Sequence, residues 1–221
     1  MSRLFSRVLR EALMLESPIN VRFKAQLELI SDPSKRSKVE NMLRRTEMRN
    51  ISEPASSTGK YHPNFAHGDY GLSRHTKAVV AFVSDMCTTF THLDRDAMII
   101  AALMHDMVKY VGEGKYTVKD HAAQAAELLR NEGLDDEARL VASHMGKWDK
   151  KGAQVEKEDE KLLHLADYLA SRQYISIDFD EDDNIITNNV GKTSVDKDRL
   201  NKLERDEDEL AMVRGEKEIP F

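Results

Sequence analysis

Apolar residues recur every three or four positions along most of this chain, which is the spacing of one face of an α-helix. Ser17 before Pro18 is an N-cap and first-turn signature, and Asp32-Pro33 breaks the helix that follows this signature. The pattern predicts helices over residues 17–30, 34–48, 72–90, 94–110, 119–131, 135–145 and 157–174. The expected fold class is therefore all-α.

Three stretches depart from this helical pattern. Residues 53–69 are rich in Pro, Gly, Ser and His, which predicts a loop. Residues 175–190 alternate apolar and polar side chains around a polar run at 181–184, which predicts a small β-hairpin. The charged residues 196–213 predict a helical C-terminal tail. We therefore expect N-terminal helices packed on the core over residues 1–52, a core over 53–174, and the hairpin with its tail over 175–221.

Composition limits the class of protein. The 221 residues are 40% hydrophobic and 33% charged, with 10 Gly and 5 Pro, which excludes collagen-like, low-complexity and wholly disordered chains. The longest apolar run, 97–104, is much shorter than the roughly 20 residues of a membrane span. The single cysteine, Cys87, fits a reducing compartment, and a net charge of −6 does not favour duplex DNA as a partner. We expect a cytoplasmic protein without a membrane partner, and its oligomeric state stays open.

Histidine and aspartate residues stand in order along five successive predicted helices. They are His75, His105, Asp106, His121, His144 and Asp167. Their neighbours are apolar or alanine-rich, so we expect them to be partly buried, and a buried carboxylate needs a cation or hydrogen-bond donors. Neutral imidazole and carboxylate are ligands for divalent first-row metals, and a carboxylate can bridge two ions. The array predicts a metal site inside the helical bundle.

These residues resemble the signature of the HD superfamily of metal-dependent phosphohydrolases, which is a His, a His-Asp doublet and a distal Asp on consecutive helices. The matching segments are GLSRHTKAVV with His75, ALMHDMVKY with His105 and Asp106, and HLADYLASR with Asp167. The resemblance spans about residues 60–172 and implies an HD-domain helical bundle. The segments PASSTGKYHP and HLADYLASR are also similar to segments of bacteriophage-encoded HD proteins, which would place the chain in the host cytoplasm.

The resemblance also implies a ligand set. One ion would be held by His75, His105, Asp106 and Asp167, and Asp106 would bridge to a second ion held with His121 and His144. The expected metal is Mn, Fe, Co, Ni or Zn, because these ligands suit all of them. A single-ion centre stays open, since Met145 follows His144 where members with two ions often carry paired histidines.

The implied reaction is hydrolysis of a phosphoester bond by a metal-activated water, with Asp106 as a catalytic residue. Lys109 matches the Lys of an HD-x-x-K variant, in which it would orient the substrate phosphate. The expected substrate is a nucleotide or a short single-stranded oligonucleotide. The signatures of HD 5′-nucleotidases and of cyclic dinucleotide phosphodiesterases are missing, which disfavours those two substrate classes. Two alternatives stay open: a non-catalytic, metal-stabilised module that binds a nucleotide or a protein partner, and a deoxynucleoside triphosphate triphosphohydrolase.

Candidate substrate-binding residues flank the metal ligands. Lys60 and His62 in the loop over 53–69, and Lys147 after His144, offer a cation or a hydrogen-bond donor for phosphate. Trp148 beside Lys147 could contact a base or cap the core. His164, three residues before Asp167, is expected to be a core histidine, with an outer-shell role as the alternative.

Overall fold

The computed structural model describes residues 18–46, 49–57, 62–110, 118–149 and 152–186. The helices in these ranges are α1 (Pro18–Arg22), α2 (Lys24–Glu28), α3 (Pro33–Arg45), α4 (Arg49–Ser52), α5 (Gly71–Thr89), α6 (Arg95–Met104), α7 (His121–Asn131), α8 (Asp135–Ser143) and α9 (Glu158–Ala170). Short 3-10 helices cover Asn64–Ala66 and Gly146–Trp148. The described part of the chain is all-α, as the sequence predicts.

Helices α5 and α6 form the centre of the bundle. Helix α5 packs against α6 and α9, helix α6 packs against α8, and α7 packs against α8. The eight residues Ala97 to Met104 of α6 are all buried, because neighbouring helices cover this helix on every side. The N-terminal helices contribute Phe23, Leu27 and Leu43 to the same apolar core. The centre of the bundle is therefore an environment from which water is largely removed.

The helix predicted over residues 94–110 is shorter than expected. It begins where the carboxylate of Asp94 accepts a hydrogen bond from the amide of Ala97, and it ends at Met104. His105 is its C-cap residue, and a turn closes when the amide of Lys109 donates to the carbonyl of Asp106 across 3.0 Å. The His-Asp doublet therefore lies where the backbone leaves the helix.

The helix predicted over residues 17–30 is interrupted. At Phe23 the backbone has φ −105° and ψ 18°, which separates α1 from α2, while its side chain is buried in the core. The helix predicted over 157–174 is also shorter, since α9 ends at Ala170. No α-helix in the described ranges combines the length and hydropathy that a bilayer crossing requires.

The predicted hairpin is reduced, in the described residues, to one antiparallel bridge between Phe179 and Ile185. The carboxylate of Asp180 accepts hydrogen bonds from the amides of Asp182 and Asn184, so a side chain closes the turn. Residues 187–190 of the predicted returning strand, the predicted tail at 196–213 and the first 17 residues lie outside the described residues.

Three positively charged side chains bind this turn to the helical bundle. The carboxylate of Asp183 pairs with Arg22 of α1 and with Arg74 of α5, at 3.0 Å from the Arg74 Nη1. Lys77 of α5 is fully buried, and its ammonium donates to the carbonyl of Asp183 across 2.6 Å. Burial, with Arg22 nearby, lowers the pKa of Lys77 to about 8. The turn at Asp183, in the segment after α9, is therefore held against α5 by Arg74 and Lys77.

Candidate metal centre

Five helices bring the six predicted ligands to one place in the core. His75 lies in α5, His105 caps the end of α6, Asp106 follows it, His121 begins α7, His144 caps the end of α8, and Asp167 lies in α9. All six side chains are buried. A set of polar groups this deep in an apolar bundle requires compensation by other polar groups or by an ion.

The six residues form two clusters. His75, His105 and Asp167 each offer a ligand atom within 4.8 Å of the others, and the same is true of Asp106, His121 and His144. In the first cluster, Oδ1 of Asp167 lies 3.0 Å from Nε2 of His75 and 3.9 Å from Nε2 of His105. The rings of His105 and His144 lie 5.1 Å apart, so the clusters are adjacent.

Asp106 is directed at both clusters. Its Oδ1 lies 3.0 Å from Nε2 of His121 and 3.8 Å from Nε2 of His144. Its Oδ2 lies 3.5 Å from Nε2 of His105 in the other cluster. A carboxylate with one oxygen toward each of two ligand groups has the arrangement expected of a bridging residue.

The backbone fixes which ring nitrogen three histidines present to the centre. The Nδ1 atoms of His105, His121 and His144 lie 2.8, 2.8 and 2.7 Å from the carbonyl oxygens of Ala102, Val118 and Val141, each three residues earlier. Since a carbonyl only accepts, Nδ1 must carry the hydrogen and donate it. The neutral ring then presents the lone pair of Nε2, which is the atom that lies in each cluster.

These inward atoms lack hydrogen-bond partners among the described residues. The Nε2 atoms of the four clustered histidines, together with Oδ1 of Asp106, are buried without a hydrogen bond of acceptable geometry. Buried polar atoms are rarely left in this state, because each costs about 1–3 kcal/mol. Divalent cations in the two clusters would satisfy all of them, and the donor set is one that first-row metals favour. The residues therefore fit a metal centre.

The electrostatics keep His144 neutral and both carboxylates ionised, which are their metal-binding forms. Burial, together with His105 and His121 nearby, lowers the pKa of His144 to about 3, so its imidazole is neutral at physiological pH. Burial alone would raise the pKa of Asp106, but Lys109 and His105 outweigh it and hold this pKa well below its usual range. The pKa of Asp167 is lowered likewise, because the nearby imidazoles of His75 and His105 overcome the effect of burial.

Four further residues are predicted from the sequence to bind substrate. The ammonium of Lys109 lies 2.6 Å from Oδ2 of Asp106, so Lys109 belongs to the centre, on a turn rather than on a helix. The ring of His62 lies edge-on to His75 at 5.1 Å, and burial lowers its pKa to about 2, with His75 adding to the effect. Lys147 is exposed on the 3-10 helix after His144. Lys60 lies outside the described residues.

Two contacts at the centre were not expected from the sequence. His164 is a buried residue of α9, and its Nδ1 donates to the carbonyl of His144 across 2.5 Å, so it supports a candidate ligand as well as filling the core. Its position three residues before Asp167 is the only signal for this role in the sequence. Ser171 Oγ lies 3.3 Å from Nε2 of His62, and no sequence pattern links these residues.

The fold and the clusters define a class of protein: an all-α bundle with a paired His/Asp centre that could hold divalent metal. The model of the family described as "HD domain" matches residues 72–172. These residues therefore form an HD domain, and the resemblance noted from the motifs is confirmed. HD domains are typically metal-dependent hydrolases. Searches of curated proteins and of solved structures found no match.

Proposed function

We propose that this chain hydrolyses a phosphoester bond in a nucleotide or a short single-stranded oligonucleotide, with divalent transition-metal ions held by the two clusters. The observation that carries the proposal is Asp106, whose two oxygens face two separate groups of buried imidazoles. Structural zinc sites usually close all four coordination positions with protein ligands, whereas each cluster here offers three. A paired centre sharing one carboxylate is the arrangement used to act on phosphate esters.

Two ions are favoured over one. Each cluster supplies three ligand atoms from the protein, which leaves coordination positions open for water or substrate. His121 and His144 both donate a hydrogen bond from Nδ1 to a backbone carbonyl. His144 therefore presents the lone pair of Nε2 in a fixed direction, although no second histidine follows it. The second cluster is thus organised without the paired histidines.

The chemistry divides between the ions and the chain. Ions bound in a paired centre lower the pKa of water and neutralise the charge of the phosphate under attack. Asp106 holds the two halves of the centre together, and Lys109 supplies a positive charge at its edge. His62 contributes a buried ring nitrogen, Nδ1, that has no hydrogen-bond partner among the described residues and is free to contact a phosphate oxygen. Burial of the ligands keeps bulk water from competing.

The charge around the centre favours a small anionic substrate. Lys109 lies at the centre and Lys147 on the adjoining surface, while the chain as a whole carries a net charge of −6. A local positive charge on an acidic protein suits a nucleotide or a short strand better than the long phosphate backbone of duplex DNA.

The direct test combines metal content with turnover. Protein purified without chelator should contain close to two ions per chain, and it should hydrolyse bis-p-nitrophenyl phosphate with Mn²⁺ but not with EDTA. The variant His92→Ala is a matched control, because His92 is an exposed histidine paired with Glu158 at 2.9 Å. This variant should keep both metal and activity, whereas His121→Ala should lose both.

A nucleotide panel then separates the alternatives. Release of orthophosphate from a nucleoside monophosphate, or of nucleoside monophosphates from an oligonucleotide, supports the proposal. Release of inorganic triphosphate from deoxynucleoside triphosphates supports the triphosphohydrolase. A fully metal-loaded protein that is inactive on every ester and nucleotide would contradict hydrolysis, and would favour the non-catalytic binding module.

A further inference from the structure

An exposed aromatic ring stands beside the metal centre. Trp148, at the end of the 3-10 helix Gly146–Trp148, is 47% exposed, and it is the only tryptophan in the sequence. Within the described residues, Val21 and Leu128 are the other large apolar side chains with comparable exposure. Exposing so large an apolar ring forgoes the stabilisation that its burial would give.

Two aromatic rings of α9 pack against the exposed indole. Trp148 stacks on Tyr168 with a centroid distance of 5.9 Å and an interplanar angle of 10°, and it contacts the ring of His164 at 5.1 Å. The guanidinium of Arg172 lies 4.1 Å from the centroid of Tyr168. Tyr168 and Arg172 are themselves buried. One side of the indole is therefore packed on a rigid support, while about half of its surface faces solvent.

The same supports are connected to the candidate metal ligands. Tyr168 directly follows Asp167, so one turn of α9 carries both the ligand and the support. His164 contacts Trp148 with its ring and donates to the carbonyl of His144 through Nδ1. Trp148 follows His144 by four residues. Movement of the indole relative to the centre would break these contacts, so the ring is preorganised with respect to the metal site.

A flat, fixed and half-exposed indole suits one kind of ligand group. Aromatic rings stack on one another in offset parallel arrangements, and nucleobases use this contact in single-stranded complexes without requiring a particular base. Lys147, exposed on the preceding position, adds a cation suited to a phosphate group.

We propose that the exposed side of Trp148 is a base-stacking subsite, which holds a nucleobase of the substrate while its phosphate lies at the metal centre. This inference rests on the proposed function, because it requires a substrate that contains a base. It assigns the substrate class to nucleotides or single strands rather than to phosphorylated sugars, and it predicts little preference among the bases.

Intrinsic fluorescence gives a test that does not depend on turnover. Because the chain has a single tryptophan, indole emission reports on this position alone. Metal-loaded protein is titrated with deoxyadenosine monophosphate and, separately, with a hydrolysis-resistant phosphorothioate pentadeoxyadenylate. Each ligand is matched by its base-free counterpart, deoxyribose 5-phosphate or an abasic pentamer of equal charge. The base-containing ligands should quench the emission saturably, and the base-free ligands should not.

Calorimetry on variants measures the contribution of the stack. At least one base-containing ligand should bind wild type about 5- to 150-fold more tightly than its base-free match. This ratio should fall toward one in Trp148→Leu, which keeps an apolar side chain but removes the aromatic face. It should persist in Leu128→Ala, a control that removes an exposed apolar side chain from α7.

The outcomes separate this inference from the proposed function. Quenching and a base-dependent ratio in a protein without hydrolytic activity would support the subsite and contradict the enzyme. Hydrolysis of nucleotides with unchanged indole emission at saturation, or with an equal ratio in Trp148→Leu, would overturn the subsite and leave the enzyme standing. Equal binding of base-containing and base-free ligands by wild type in both pairs would also overturn the subsite.

Discussion

The ammonium of Lys109 lies 2.6 Å from Oδ2 of Asp106, and both side chains are largely removed from solvent, with exposures of 14% and 2%. The pair joins the positive charge at the edge of the centre to the carboxylate that faces both clusters. A charge pair at this depth is sensitive to loss of one partner, because the remaining charge is left without compensation. Lys109 is thus coupled to the metal site as well as placed to meet substrate.

Replacement of Lys109 by Ala is expected to leave metal content intact while catalytic efficiency falls. The loss should be about 1.5–3 kcal/mol in transition-state stabilisation, which is the contribution of one charge-assisted hydrogen bond. Metal stoichiometry, kcat and KM measured on the same preparation decide the role. Lys161→Ala removes an exposed lysine from α9 and should change none of them. Unchanged kinetics in Lys109→Ala would show that the ammonium does not act on substrate, and loss of metal would show that it serves to hold Asp106.

Replacement of Asp106 by Ala should abolish hydrolysis and strip bound metal, because the two oxygens of this carboxylate lie toward the two clusters. The helices should remain, since Asp106 lies in a turn after α6 rather than inside a helix. Metal analysis, turnover and far-ultraviolet circular dichroism test these three expectations. Wild-type turnover in this variant would refute the assignment of the centre.

The metal-free protein should lose stability as the pH falls below about 6.5. The pKa of His144 is lowered to about 3 by burial and by His105 and His121, so between these values the unfolded chain binds a proton that the folded chain does not. Buried His62 acts in the same direction, whereas the raised pKa of His105 partly offsets them.

Urea unfolding in EDTA at pH 7 and pH 5 measures this effect. The free energy of unfolding should be smaller at pH 5, and the difference should shrink in His144→Gln, whose amide does not titrate. The control His92→Ala should keep the wild-type difference, because His92 is exposed. An equal free energy of unfolding at both pH values in wild type would contradict the burial of neutral histidines.

Substitution of Gly146 by Ala should disturb the second cluster specifically. Gly146 has φ +51°, and a Cβ there would lie 2.9 Å from Cε1 of His164, whose ring is held by Trp148 and by the carbonyl of His144. The expected cost is about 1–3 kcal/mol, with weaker metal binding. Gly68→Ala is a matched control, because Gly68 has φ +64° and no atom within 4 Å of the added Cβ. Equal effects of the two substitutions on metal affinity would show that contact with His164 is unimportant.

Local sequence patterns were sufficient to predict the helices that carry the candidate metal ligands. The helices around His75 and His121 could be predicted because the apolar spacing is encoded within each segment. The ends of the helices were less predictable. The pattern over 94–110 predicts one helix, but the helix ends at Met104, and His105 and Asp106 lie beyond it. Nothing within the segment marks that point, because Val108 and Tyr110 continue the apolar spacing.

The sequence by itself determined which residue types could bind metal and that they would be buried. Only the tertiary structure decided how they divide into two clusters, that Asp106 faces both, and that His164 supports His144. It also decided that Trp148 lies on Tyr168 with half of its surface exposed. The physical reason is range. Helix formation and burial depend on neighbours a few positions apart. Apart from the adjacent pair His105 and Asp106, these contacts join residues 15 or more positions apart, and the packing of whole helices fixes their separation.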